Sequence, residues 1–230
     1  MFWYLITISF ALLLSIYVQA NWLRHLLRSL FPDVLWSVST HRRMVALTLD
    51  DAPSENTHTI LNILNRYSAR ATFFILGEEA RKRPHLLQAI VEQGSELGNH
   101  TMTDERSVSL DKERFKDSVQ SCHQIIAKYQ PNALFRWFRP GCGWFTSSMI
   151  RRIRKLGYDM ALGDVYPFDP IVASAYINSQ HIIHRVHPGA IIILHDNRKW
   201  TIETLELVLH DLVTVQGYQV VTLTQLMMEA

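Results

Sequence analysis

From residue 44 onward the chain alternates short apolar runs with longer stretches whose apolar residues recur every three or four positions. The first pattern predicts strands buried on both faces, the second amphipathic helices. Strands are predicted over 44–49, 71–76, 95–99, 134–138, 158–163, 190–194 and 218–223. Helices are predicted over 55–66, 78–93, 111–129, 147–156, 173–186 and 201–216, with a short helix at the end. Gly77, Gly94, Gly157 and Gly217 stand where elements should stop, and Pro131 follows the long third helix, 111–129. Strands joined by helices of this length imply parallel pairing through right-handed crossovers. Seven such units predict an α/β barrel more readily than an open sheet.

Ahead of this body the pattern changes. Residues 1–23 carry no charged side chain, and 2–18 are almost continuously apolar. A helix of that length spans roughly 35 Å, enough for a bilayer core. The expectation is an N-terminal hydrophobic helix acting as a signal peptide or transmembrane anchor. Val18-Gln19-Ala20 offers small residues for cleavage, whereas the first positive charges, Arg24 and Arg28, lie beyond the apolar run. The positive-inside rule alone would leave the body in the cytoplasm. We expect a secreted or membrane-anchored protein with its main domain outside the cytoplasm. Residues 24–43 then read as a tether, with a partly amphipathic piece over 22–35 suited to a membrane surface. Residues 44–230 form the domain proper.

Composition narrows the partners. A chain of 230 residues is one domain with a sizeable core. Its formal charge of +2 is spread without a basic run, which argues against nucleic acid. The two cysteines, Cys122 and Cys142, lack zinc-knuckle spacing, and one bridge between them stays open.

The first strand ends in Asp50-Asp51-Ala52-Pro53. Alternation along a strand points the two carboxylates to opposite sides, so they should take different jobs. On its own this is also an ordinary helix start. What changes the picture is recurrence. Asp50/Asp51, His100, Arg139, Asp164/Asp169 and His195 all follow strands, where barrel enzymes carry their reactive groups. His100 and Asp104, four apart, share a face if their turn is helical. With Asp51 they make one nitrogen and two oxygen donors, leaving open coordination positions.

Five segments carry a resemblance. Thr48-Leu49-Asp50-Asp51-Ala52-Pro53 is similar to Thr-Phe-Asp-Asp-Gly-Pro, and Asn99-His100-Thr101-Met102-Thr103-Asp104 to Asn-His-Ser/Thr-x-x-His. Phe138-Arg139-Pro140-Gly141-Cys142-Gly143 resembles Phe-Arg-Pro-Pro-Tyr-Gly. Asp164-Val165-Tyr166-Pro167-Phe168-Asp169-Pro170 resembles Asp-x-Asp-x-x-Asp-Trp, and Ile193-Leu194-His195-Asp196 resembles Leu-x-His-Asp. Five motifs in this order resemble the polysaccharide deacetylases of the NodB-homology type, carbohydrate esterase family 4. The resemblance implies a distorted (β/α)7 barrel and a metal-dependent deacetylase. By position it makes Asp51, His100 and Asp104 the ligands of a divalent metal, zinc first, with cobalt, nickel or manganese as substitutes. Asp50 becomes the general base, oriented by Arg139, and His195 the general acid, held by Asp169. The Cys142 backbone N–H, and more weakly Tyr166, would face the substrate or oxyanion.

Three positions depart from the pattern. Asp104 replaces a second histidine ligand, which tilts preference toward harder metals. Cys142 replaces a tyrosine, and Pro170 an aromatic residue. Trp144, Phe145, Tyr166 and Phe168 offer sugar-stacking or packing surface. Asp196 is expected to cap the helix after it. The remaining histidines have no ligand spacing. The expected substrate is an N-acetylated amino sugar of a cell-wall or surface polysaccharide, chitin- or peptidoglycan-like. Rival expectations are a deformylase or deacylase of a lipid-linked sugar, and a catalytically silent sugar-binding homologue.

Overall fold

The computed structural model describes residues 21–229. Residues 1–20, where the signal peptide or anchor is expected, lie outside the described residues. Among the described residues no helix is long and apolar enough to cross a membrane.

The strands are β1 (Val34–Leu35), β2 (Met44–Ala52), β3 (Ala71–Ile75), β4 (Glu96–Asn99), β5 (Trp137–Phe138), β6 (Asp159–Ala161), β7 (Ile191–His195) and β8 (Gln219–Val221). They pair in the order β1-β6-β5-β4-β3-β2-β7, with β8 against the start of β2, and every pairing is parallel. Val165, just past β6, bridges Ile192 of β7, and Ser37 bridges Ala190. These contacts join the two ends of the sheet into the distorted α/β barrel expected from the alternation.

The helices are α1 (Asn21–Leu30), α2 (Thr57–Arg66), α3 (Gly77–Lys82), α4 (Pro84–Glu92), α5 (Lys112–Ile126), α6 (Ser147–Lys155), α7 (Ala175–Arg185), α8 (Thr201–Leu209) and α9 (Leu223–Glu229). The helix predicted over 78–93 is two helices. Pro84 has no N–H to continue the first, and it sits in the opening turn of α4. The stretch predicted over 201–216 is α8 followed by a π-helical turn, His210–Val215.

All nine residues of β2 are buried. Val45, Leu47 and Leu49 point outward and pack with Phe73, Ile192 and Leu194 under Ile60, Leu64 and Leu205 of the surrounding helices. Met44 and Ala46 point inward and meet Phe74, Trp137, Ala161 and Ile191, with Leu223 and Leu226 of α9 in the same cluster. The period of two that sorts these faces also sets the site, because Thr48 and Asp50 continue the inward row.

Residues 24–43, expected as a tether, are part of the body. β1 pairs with β6, and Phe31 and Trp36 join Phe138 and Met160 in a further apolar cluster. Arg24 and Arg28 of α1 reach Asp164. Both cysteines are free thiols: Cys122 is buried with its S–H on the Ile75 carbonyl at 3.3 Å, and Cys142 is exposed.

Candidate active site

The C-terminal ends of β2, β4, β5, β6 and β7 open into one cavity of about 440 Å³. It is lined by Asp50, Asp51, His100, Asp104, Arg139, Cys142, Tyr166 and His195 among others, and Asp169 lies behind His195. Every catalytic and ligand residue singled out in the sequence therefore belongs to this end of the barrel.

Backbone register does much of the assembly. Asp50 of β2 is the direct partner of His195 of β7, so the two side chains rise from neighbouring strands. Asp50 is 5% exposed, and its Oδ1 accepts from Arg139 Nη1 at 2.6 Å. Burial pushes this carboxyl's pKa up, but Arg139, His100 and His195 together outweigh that and hold it below its ordinary value. Arg139 is itself buried and almost fully spoken for. Nε donates to the Ala161 carbonyl at 3.1 Å, Nη1 also to Thr48 Oγ1 at 2.7 Å, and Nη2 to the Leu162 carbonyl. Its guanidinium lies 4.1 Å from the centre of the Phe74 ring.

His195 donates from Nδ1 to Asp169 Oδ1 at 3.0 Å, and its backbone N–H donates to Asp169 Oδ2 at the same distance. Asp169 is fully buried and so fixes both ring and strand end. Burial lowers the His195 pKa, yet the bond and charge of Asp169, with Asp50 and Asp51, carry it above its ordinary value.

The second group of residues is less finished. Strand alternation would send Asp51 to the outer face, opposite Asp50, and a division of the two was expected. Both line the cavity instead. The β2–β3 register shifts between Leu49 and Ala52, and Asp51 takes a left-handed φ of 62°, which turns its side chain inward. Its Oδ1 lies 3.7 Å from His100 Nε2. His100 Nδ1 sits 2.8 Å from the Arg139 carbonyl, which can only accept, so Nδ1 carries a proton and Nε2 is the ring nitrogen that faces Asp51. Burial raises the Asp51 pKa; His100 and His195 pull it down, and Asp104 and Asp50 add to the rise.

Asp104 departs from the expectation. Its segment is a series of bends rather than a helical turn, with Thr101 at φ 70°, and Asp104 stands exposed at the rim. Among the described residues no three histidine, cysteine or acidic side chains converge as a metal-binding group. A residue that sequence reasoning passed over takes up the difference: Arg198 Nη2 donates to Asp51 Oδ2 at 3.2 Å. Its Nε is buried without a hydrogen-bond partner among the described residues. The only sequence signal was its place three residues beyond His195. The donor chemistry still suits a divalent cation, since His100 turns Nε2 toward a carboxylate in a cavity whose rim carries a second.

The loop after β5 holds Cys142 at φ 59°. The Gly141 N–H donates to Ser107 Oγ at 2.8 Å and the Gly143 N–H to the Pro140 carbonyl at 3.0 Å. That leaves the Cys142 N–H as the loop's candidate oxyanion donor. Tyr166 lies with its ring 6.1 Å from that of His195, and burial raises its phenol pKa. Phe145 is no sugar platform: it packs edge-on against Phe31, with ring centres 4.9 Å apart. Trp144 is exposed and outside the cavity lining. Asp196 does not cap α8, whose N-cap is Trp200. It accepts instead from Ser54 Oγ and, at 2.8 Å, from Thr57 Oγ1 at the start of α2, with its pKa pushed up by burial to about 6.

The polysaccharide deacetylase family matches residues 37–161, more than half of the chain and three of the five motif segments. The chain belongs to the polysaccharide deacetylase family. This polysaccharide deacetylase is 28% identical over 200 residues to a peptidoglycan-N-acetylglucosamine deacetylase of Bacillus cereus, covering 84% of this chain and 92% of that one. PdaA of Bacillus subtilis, a family 4 carbohydrate esterase, superposes with a TM-score of 0.78 at 25% identity, over 88% of this chain and 89% of PdaA. A CE4-family pseudoenzyme from Bacillus anthracis superposes with a TM-score of 0.76 at 26% identity, over 84% of this chain and 68% of that one. The family thus holds both active and silent members on this barrel.

Proposed function

We propose that this protein hydrolyses the acetyl amide of N-acetylated amino sugars in a cell-wall or surface polysaccharide, with a divalent cation, zinc first, as cofactor. One observation carries the reading: Asp50 and His195 are register partners, and each is held by its own buried counter-charge, Arg139 and Asp169. Asp50, kept ionised by Arg139, accepts the proton of the attacking water. His195, kept protonated by Asp169, delivers its Nε2 proton to the leaving nitrogen. Such proton transfers contribute about 10²–10⁴-fold each. The Cys142 N–H donates to the carbonyl oxygen as charge develops there. Asp51, His100 and Asp104 would hold the cation, which supplies Lewis acidity and lowers the pKa of water toward ~7. The names of the relatives support amino-sugar substrates of bacterial walls. The apolar residues 1–20 support placement at or beyond the membrane, with the domain outside the cytoplasm.

The Arg198–Asp51 pair favours a second reading, a silent sugar-binding homologue, because a guanidinium already neutralises the carboxylate a cation would use. Acetate release from chitooligosaccharides and peptidoglycan separates the two. The full chain is stripped with chelator and reloaded with zinc, cobalt, nickel or manganese. We expect release that returns with metal and disappears in Asp50→Asn. Release unchanged in Asp50→Asn overturns the mechanism, and metal binding with no release from any acylated glycan establishes the silent reading.

A further inference from the structure

The wall of the catalytic cavity that faces α1 is apolar, and α1 is locked onto it. Arg24 Nη1 and Arg28 Nη2, one helical turn apart, reach Asp164 Oδ2 at 3.4 and 3.2 Å. His187 Nε2 meets the same oxygen at 2.9 Å, and the Ile191 N–H donates to Oδ1 at 3.3 Å. Asp164 is therefore an anchor for α1 rather than a group working on substrate. Leu23 and Leu27, also one turn apart on the adjoining stripe, become part of the cavity lining. Trp36, Leu162, Phe168 and Ile193 line the same space. A sugar hydroxyl entering there would give up water for hydrocarbon, whereas a methylene chain would gain. The volume, about 440 Å³, exceeds what the three non-hydrogen atoms of an acetyl group fill by about fivefold, taking about 30 Å³ for each water-sized group.

The stripe of α1 next to Leu23 and Leu27 is apolar too. Trp22, Leu26 and Leu30 are 52%, 46% and 60% exposed, and the helix follows directly on the uncharged residues 1–20. One broad apolar face thus offers hydrocarbon to the cavity along one stripe and to its surroundings along the next, with Arg24 and Arg28 on the polar side, as in an interfacial helix.

We infer that the cavity wall formed by Leu23 and Leu27 of α1 with Trp36, Leu162, Phe168 and Ile193 binds the acyl chain of an N-acylated amino sugar carried by a membrane lipid, and that the preferred acyl group is longer than acetyl. This rests on the hydrolase reading above for its reaction and changes only the substrate class. Water adds across the amide: a C–O bond forms at the carbonyl carbon, the C–N bond breaks, and the nitrogen leaves as the amine after accepting a proton. The products are a fatty acid and a free amino sugar.

The test uses the full metal-reloaded chain with N-acetyl-, N-butanoyl-, N-hexanoyl- and N-octanoylglucosamine, each below its micellar concentration, reading amine release. We expect kcat/KM to rise about two- to fourfold per added methylene. Leu27→Asp should flatten that dependence, and Leu27→Phe, which narrows the same space without a charge, should move the optimum to shorter chains. Far-ultraviolet circular dichroism checks that each variant is folded. Binding to catalytically disabled Asp50→Asn, by calorimetry, reads the wall apart from the reaction. Octanoyl is expected to bind at least tenfold more tightly than acetyl. Acetyl equal to or better than octanoyl in both measurements overturns the inference. Tight octanoyl binding with no hydrolysis at any length upholds the wall and sinks the hydrolase reading instead.

Discussion

Asp50 and Asp51 are consecutive carboxylates in one cavity, yet their surroundings are finished to different degrees. Asp50 has a buried arginine each of whose three side-chain nitrogens donates to protein atoms, and its partner His195 has a buried aspartate. Asp51 has an imidazole at 3.7 Å, a rim carboxylate, and a guanidinium with one buried nitrogen unmatched among the described residues. The half proposed to handle protons is complete in protein atoms alone. The half proposed to hold a cation is neutralised from within by Arg198, as expected of a site where a mobile charge can be exchanged for a bound one. Preorganisation is thus concentrated where protons move.

That contrast can be broken first at its strong side. Asp169→Asn should lower turnover by about 10²–10⁴-fold, because the ring loses its orientation and its charge partner. The pH profile gives the sign. His195 has a raised pKa, so the acid form persists above its ordinary range, and activity falls as pH rises through the raised value. Without Asp169 that alkaline limb should move to lower pH. An unmoved limb would show that another group is the acid. The same shift ties to stability: its contribution is full below the unfolded histidine value and is lost as pH rises through the folded one.

Arg139→Met should come next. It leaves Asp50 buried without its counter-charge, a change worth about 3–5 kcal/mol, readable as a lower midpoint in urea. A midpoint near wild type would mean that Asp50 takes up a proton or water at little cost.

On the weaker side, Arg198→Met should tighten zinc binding by roughly ten- to a hundredfold in calorimetry, the equivalent of removing one competing charge-assisted hydrogen bond. Weaker binding would make Arg198 a supporting residue rather than a competitor. Asp104→Ala should change cation affinity least, by less than about tenfold, since its carboxylate is exposed at the rim. A larger loss would show that the 101–106 segment moves inward around the cation.

Much of this was legible in the chain. The apolar runs gave the central strands, and their ends gave Asp50, His100, Arg139, Asp169 and His195. What escaped has physical causes. β1 has two residues, too few for any period, so its segment read as a tether. Arg24 and Arg28 read as topology signals, although their spacing also allowed a shared partner. Asp51 was named as a ligand, but its inward turn escaped because a bulge breaks the alternation on which the reasoning depended; stacking and packing stayed open for Phe145 because distant residues such as Phe31 decide between them. Arg198 needed three dimensions: nothing near His195 in sequence indicates that it turns back onto β2.

Arg139 spans both halves through chemically separate groups. Its side chain binds Asp50, while its main-chain oxygen orients His100. Substitution can remove the first but not the second. Variants at this single position therefore uncouple the machinery: they can abolish hydrolysis in a protein whose imidazole remains poised for a cation, and so make a trap for metal and ligand together.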